Sequence, residues 1–159
     1  MTLEIAEIPA LAGTLALCPM PGRQGDYAGD LATLLAWRPA LVLTMTSKLE
    51  LATKGAGTLP HDLAAAGVTW RHLPVPDFGT PKPDTAALWP AASAEARARL
   101  AAGGRVLAHC MGGCGRSGMA VLRLLVEAGE APEAALQRLR AARPCAVETK
   151  AQARWASLR

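Results

Sequence analysis

His109-Cys110-Met111-Gly112-Gly113-Cys114-Gly115-Arg116-Ser117-Gly118 is the stretch that decides how this chain folds. One apolar run, Val106-Leu107-Ala108, leads into it, and a longer one from Met119 to Val126 leads out. The pattern predicts a buried strand, a glycine-rich turn and a helix starting near Ser117. Glycines at 112, 113 and 115 let successive amides turn inward, since glycine alone reaches positive φ without steric cost. Amides gathered at a helix N-terminus form an anion site. Cys110 stands at the mouth of that nest, where positive potential favours a reactive thiolate. Arg116 adds a planar fork that matches two phosphate oxygens at once. Nucleophile, amide cradle and cation are thus adjacent, in a loop suited to phosphate chemistry.

Outward from this loop, short apolar segments alternate with helical ones. Leu3 to Ile8 alternates as a half-buried strand that Pro9 should end, and Thr14 to Cys18 reads as a second strand. Asp30 is placed to cap a helix through Trp37, and Leu41-Val42-Leu43-Thr44 has the uninterrupted apolarity of a strand buried on both faces. A helix from His61 stops at Gly67, a strand follows over Val68–Leu73, and Pro74 to Pro83 forms a stiff proline-dense loop. Helices are expected from Asp84 to Ala102, after Ser117, from Pro132 to Leu139, and around Gln152 and Trp155. Strands alternating with helices predict an α/β sandwich, a central mainly parallel sheet flanked by helices, built as a single domain over residues 1–159.

Composition narrows the function classes. The chain has 159 residues, 51% of them hydrophobic and 19% charged, which fits a compact core and excludes a disordered chain. A net charge of +4 suits anionic substrates, and one Tyr with one Phe gives no aromatic platform for nucleic acid. No uncharged apolar run approaches the roughly 18 residues of a membrane span. The N-terminus is acidic where a secretory leader is basic, so the expected location is cytoplasmic. Cys18, Cys110, Cys114 and Cys145 lack the spacing of an extracellular disulfide framework, which predicts reduced thiols. His109, Cys110 and Cys114 offer three metal-type ligands, but Arg116 beside them would repel a cation.

The motif His-Cys, five residues, Arg-Ser resembles the active-site loop of cysteine-dependent protein tyrosine and dual-specificity phosphatases. The wider match, with Asp77-Phe78-Gly79-Thr80-Pro81 upstream and Glu148-Thr149-Lys150-Ala151-Gln152 downstream, is similar to the kinase-associated phosphatase branch from about Glu50 to Trp155. That resemblance implies a protein-tyrosine-phosphatase-like fold and hydrolysis of phosphate monoesters on protein tyrosine, with serine and threonine as further targets. The alternatives are a non-catalytic phosphate-binding module and a phosphatase for a non-protein ester.

The resemblance further implies a phosphocysteine on Cys110, with no cofactor and no metal. Amides of Met111, Gly112, Gly113, Cys114 and Gly115 would bind substrate together with Arg116. Ser117 would assist the thiolate, or simply cap the helix. Asp77 would be the general acid and later the base; a loop aspartate is otherwise a turn former. Gln152 would orient the hydrolytic water, or lie on a solvated helix face. Glu50-Leu51 matches a family pair, or is a solvated helix turn. No Lys or further Arg lies between Cys110 and Arg116, which disfavours inositol polyphosphates and points to a phosphorylated protein or peptide partner. Lys82 and arginines 97, 99, 138, 140 and 143 form a positive rim or solvated helix faces. Cys114 could form a protective disulfide with oxidised Cys110, or be a small loop residue.

Overall fold

The computed structural model describes residues 2–158. Five strands, β1 (Ala6–Ala10), β2 (Gly13–Cys18), β3 (Leu41–Thr44), β4 (Thr69–His72) and β5 (Arg105–His109), form one sheet in the order β1-β2-β5-β3-β4. β2, β5, β3 and β4 are parallel, and β1 pairs antiparallel with β2 as a hairpin. The mainly parallel α/β sandwich expected from the alternating pattern is therefore the fold. Pro9 does not end the first strand as expected: it lies inside β1, opposite Thr14. An edge strand tolerates proline because its outward amide has no ladder partner to lose.

Both faces of the sheet are covered, so successive residues of the inner strands are buried on opposite sides. Leu15, Leu17, Leu41, Leu43, Val106 and Ala108 belong to one core cluster; Ala16, Cys18, Val42 and Leu107 belong to the other. The second face is covered by α1 (Tyr27–Ala36), α2 (Lys48–Thr53) and α3 (Leu59–Ala65), which supply Leu34, Leu51, Leu59 and Leu63 to its core. On the first lie α4 (Pro83–Ala101), α5 (Gly115–Glu127), α6 (Pro132–Ala142) and α7 (Lys150–Ala156). α5 sits between the sheet and its sister helices, and nearly every residue from Gly115 to Val126 is buried. This explains its length of uninterrupted apolar sequence. Its start is two residues earlier than Ser117.

Asp26, not Asp30, caps α1, accepting from the Gly29 amide. Asp30 instead lies buried in the first turn and takes the Gly22 amide at 2.8 Å, tying the Pro19–Gly25 turn to α1. The loops leaving β2, β3 and β5 all emerge at the carboxyl edge of the sheet, the usual ligand edge of parallel α/β structures. Among the described residues no helix is long and apolar enough to cross a membrane.

Candidate active site

β5 delivers Cys110 to the centre of that edge, and α5 begins five residues later at Gly115. Between them the loop is held from outside by its carbonyls. The Met111 carbonyl accepts from the Met20 amide, and the Cys114 carbonyl from the amides of Val147 and Gly118. Arg143 donates from Nε to the Gly113 carbonyl and from NH2 to the Gly112 carbonyl, both at 3.0 Å. With the carbonyls pinned outward, the amides turn in. Among the described residues, no amide from Met111 to Arg116 donates to a protein acceptor. These six N–H groups and the N-terminus of α5 make a preorganised oxyanion cradle.

The glycines serve this loop differently from the expectation. Only Gly113 has a positive φ, +72°, and a Cβ there would also strike the Pro19 nitrogen at 2.5 Å. Gly115 keeps ordinary dihedrals; a Cβ there would press on the buried Gln152 amide at 3.1 Å and displace the Glu148 carboxylate.

Cys110 is 2% exposed at the floor of a pocket of about 210 Å³, lined also by Arg23, Asp77, Phe78, Met111, Arg116 and Glu148. Its Sγ lies 3.2 Å from Ser117 Oγ, so the hydroxyl can donate to a thiolate. Behind it runs a hydrogen-bonded chain that fixes the His109 tautomer. Trp70 Nε1 donates to Thr44 Oγ1 at 2.7 Å, leaving the Thr44 hydroxyl to donate to His109 Nε2, also at 2.7 Å. His109 Nδ1 is 3.2 Å from the Cys110 carbonyl and donates to it. The ring is thus neutral. Burial, with lesser help from the Arg116 and His72 charges, lowers its pKa to about 4 against the opposing carbonyl bond.

Arg116 is 1% exposed and shared among three partners. Its NH1 donates to Glu50 Oε2 and the Val75 carbonyl, both at 3.0 Å, and NH2 donates to Glu50 Oε1 at 2.9 Å. Asp77 Oδ1 stands 3.5 Å from NH2. Among the described residues Nε–H has no protein acceptor, so the Nε–NH2 edge is what the fork offers to an anion in the pocket. Burial works against both charges of the Glu50 pair. Even so, the Arg116 and Ser47 hydrogen bonds hold Glu50 below the usual carboxylate range, and the Glu50 bonds raise Arg116. Glu50 is therefore no solvated helix residue. It caps α2 through the Ser47 amide and grips Arg116 with the same carboxylate. The Ser47-Lys48-Leu49-Glu50 spacing of a capping box was the available signal.

The Asp77 carboxyl is 59% exposed at the pocket mouth, accepts from the Phe78 amide, and sits in a tight turn closed by the Gly79 amide on the Pro76 carbonyl. Gln152 is wholly buried rather than on a solvated face. Its Oε1 accepts from the amides of Glu148 and Thr149, and its Nε2 donates to the Gly79 carbonyl, latching the Asp77 loop to α7.

The expectation for the cysteines is corrected. Cys114 is disulfide-bonded to Cys145, 31 residues on, so it is not a partner for Cys110, and the four cysteines are not all reduced. Lys82 and arginines 97, 99, 138, 140 and 143, read as a positive rim or as solvated helix faces, do not line the pocket. Arg143 braces the loop from behind, Arg138 pairs with Glu130, Arg140 binds the carbonyls of Ala146 and Val147, and Arg97 and Arg99 turn to Ser93 and Thr69. Arg23, which no local pattern marks, is the second arginine of the pocket.

A thiol in an open amide nest, beside a buried arginine and under a carboxyl-bearing loop, defines a cysteine-dependent phosphatase fold and site. The chain belongs to the family described as Tc-R-P, polymorphic toxin system, DSP-PTPase phosphatase, whose model matches residues 30–130. It is a phosphoric monoester hydrolase of the dual-specificity class. Kinase associated phosphatase, with its catalytic-site cysteine replaced by serine, superposes with a TM-score of 0.84 at 23% identity over 98% of this chain and 93% of that one. Tk-PTP in its active form gives 0.69 at 29% identity, over 89% and 87%. PTPMT1 in complex with PI(5)P gives 0.72 at 21% identity, over 90% and 87%. No curated protein sequence matches the chain.

Proposed function

We propose that the whole chain, residues 1–159, acts as one phosphatase domain that hydrolyses phosphate monoesters on protein tyrosine, with phosphoserine and phosphothreonine as further substrates. The observation that carries this reading is the ring of unpartnered amides facing Cys110 beside the free edge of Arg116. A phosphoryl group seated there has its three non-bridging oxygens on the amides and on Arg116 Nε and NH2. Its phosphorus is then in line with the Cys110 sulfur. The thiolate forms the S–P bond as the P–O bond to the substrate breaks, and Asp77 gives its proton to the departing oxygen. In the second step Asp77 takes a proton from water, which attacks phosphorus and expels the sulfur. Ser117 stabilises the thiolate as it leaves. Gln152 holds Gly79, and so the carboxyl two residues before it.

Protein rather than inositol phosphate is supported by the pocket's lining, where positions 111–115 bring only amides and no cationic side chain. A panel of phosphopeptides and phosphoinositides tests this. Phosphotyrosine peptides should have the highest kcat/KM; preferential turnover of phosphoinositides would overturn the substrate assignment.

A further inference from the structure

Arg23 is a pocket cation that the phosphoryl chemistry leaves unused. Arg116 is committed to Glu50 and Val75, and Arg143 to the loop carbonyls and to Glu4 at 3.5 Å. Among the described residues the Arg23 side chain has no hydrogen bond and no ion pair, and it is exposed. It does not trail at random, because its backbone is fixed to the loop it overlooks. The Arg23 amide donates to the Met20 carbonyl, the Met20 amide to the Met111 carbonyl, and the Gly22 amide to buried Asp30. A Cβ built on Gly112 would lie 3.6 Å from Arg23 NH1, so the guanidinium stands over the rim of the amide nest. On its other side lies a second depression of about 180 Å³, bordered by Pro19, Gln24 and Asp30.

The remaining charged groups of the mouth, Asp77 and Glu148, are acidic. Without Arg23 the entrance would repel any substrate whose phosphate is followed or preceded by an acid. We infer, on the basis of the protein-substrate reading above, that Arg23 selects phosphopeptides with a second anionic group, a carboxylate or a phosphate, on the residue next to the phosphorylated one. The pair would be solvent-accessible, so its effect is a modest preference that salt weakens.

The test uses matched phosphotyrosine peptides with Asp or Asn at the adjacent position, on either side, assayed with wild type, Arg23→Ala and Arg23→Glu. Wild type should favour Asp in kcat/KM by about three- to fivefold on at least one side, the scale of an exposed ion pair. The ratio should fall to about one in Arg23→Ala, drop below one in Arg23→Glu, and shrink for wild type at high salt. A wild-type ratio of one on both sides, or a ratio that survives Arg23→Ala, overturns the inference. If wild type turns over neither peptide, the protein-substrate reading fails instead. The same ratio, taken as Kd on Cys110→Ser protein, then still decides whether Arg23 reads the neighbouring anion.

Discussion

Glu50 holds Arg116 through both carboxylate oxygens, at 2.9 and 3.0 Å, although the two residues are 66 positions apart. This pair fixes which edge of the guanidinium is left for substrate. Glu50→Gln keeps one acceptor oxygen but puts an amide NH2, a donor, where the second oxygen accepted from Arg116, and removes the charge that orients the fork. Hydrogen bonds to charged groups are worth about 1.5–3 kcal/mol, so kcat/KM for an aryl phosphate should fall roughly 10- to 100-fold. A change below about twofold in steady-state assays would mean that the Val75 carbonyl alone aligns Arg116.

Arg116→Lys should be more severe than Glu50→Gln, because an ammonium cannot serve Glu50, Val75 and a phosphate with one planar fork. Rescue of the lysine variant to near wild-type turnover would show that only charge matters at this position.

Neutral His109 makes stability pH-dependent. Its folded pKa is depressed from 6.5 to about 4, so between these values the unfolded chain binds more protons. The contribution is present above pH 6.5 and is lost as the pH falls through about 4. At about 1.4 kcal/mol per pKa unit the loss is roughly 3 kcal/mol. Urea unfolding across this window should show a steeper acid decline for wild type than for His109→Asn, whose amide can still donate to the Cys110 carbonyl. Parallel slopes would place the proton uptake elsewhere.

The Cys114–Cys145 bond closes a loop of 31 residues and anchors the phosphate loop to the segment carrying Arg143 and Val147. Chain-entropy reasoning assigns such a loop about 3–4 kcal/mol. Reduction by dithiothreitol and the Cys145→Ser substitution should lower the denaturation midpoint equally, and should not add. Peptide mapping of oxidised protein should recover Cys114 linked to Cys145 and Cys110 as a free thiol; a Cys110–Cys114 peptide would contradict the arrangement.

Asp77→Asn should cost an alkyl phosphate about 10²–10⁴-fold in kcat, the usual scale of a lost general acid. A nitrophenyl phosphate, whose leaving group departs without a proton, should lose much less. Equal losses on both substrates would reduce the Asp77 loop to a structural turn.

The phosphate loop, the parallel sheet and most helices were legible because each is a local pattern: a motif of ten residues, a run of buried apolar strand, a proline or glycine stop. Element ends were less so. Pro9 continues a strand because only its place at the sheet edge makes the missing amide harmless, and Asp30 is drawn inward by the Gly22 amide rather than capping its helix. The partners of the loop could not be read locally. Arg143, Cys145 and Arg23 reach it through the tertiary path of the chain, and nothing in their sequence neighbourhoods distinguishes them from surface residues. Glu50 lay between these cases, with a visible capping box whose second use, gripping Arg116, only the fold reveals.

The central claim is that Cys110 is the nucleophile in an anion site that exists independently of it. It is tested most directly by Cys110→Ser, assayed for aryl phosphate turnover and for binding of a phosphate-like oxyanion by calorimetry. The variant should retain oxyanion binding while its turnover falls below about 1% of wild type, the scale expected when a covalent nucleophile is lost. Turnover near the wild-type rate in the serine protein would contradict the account.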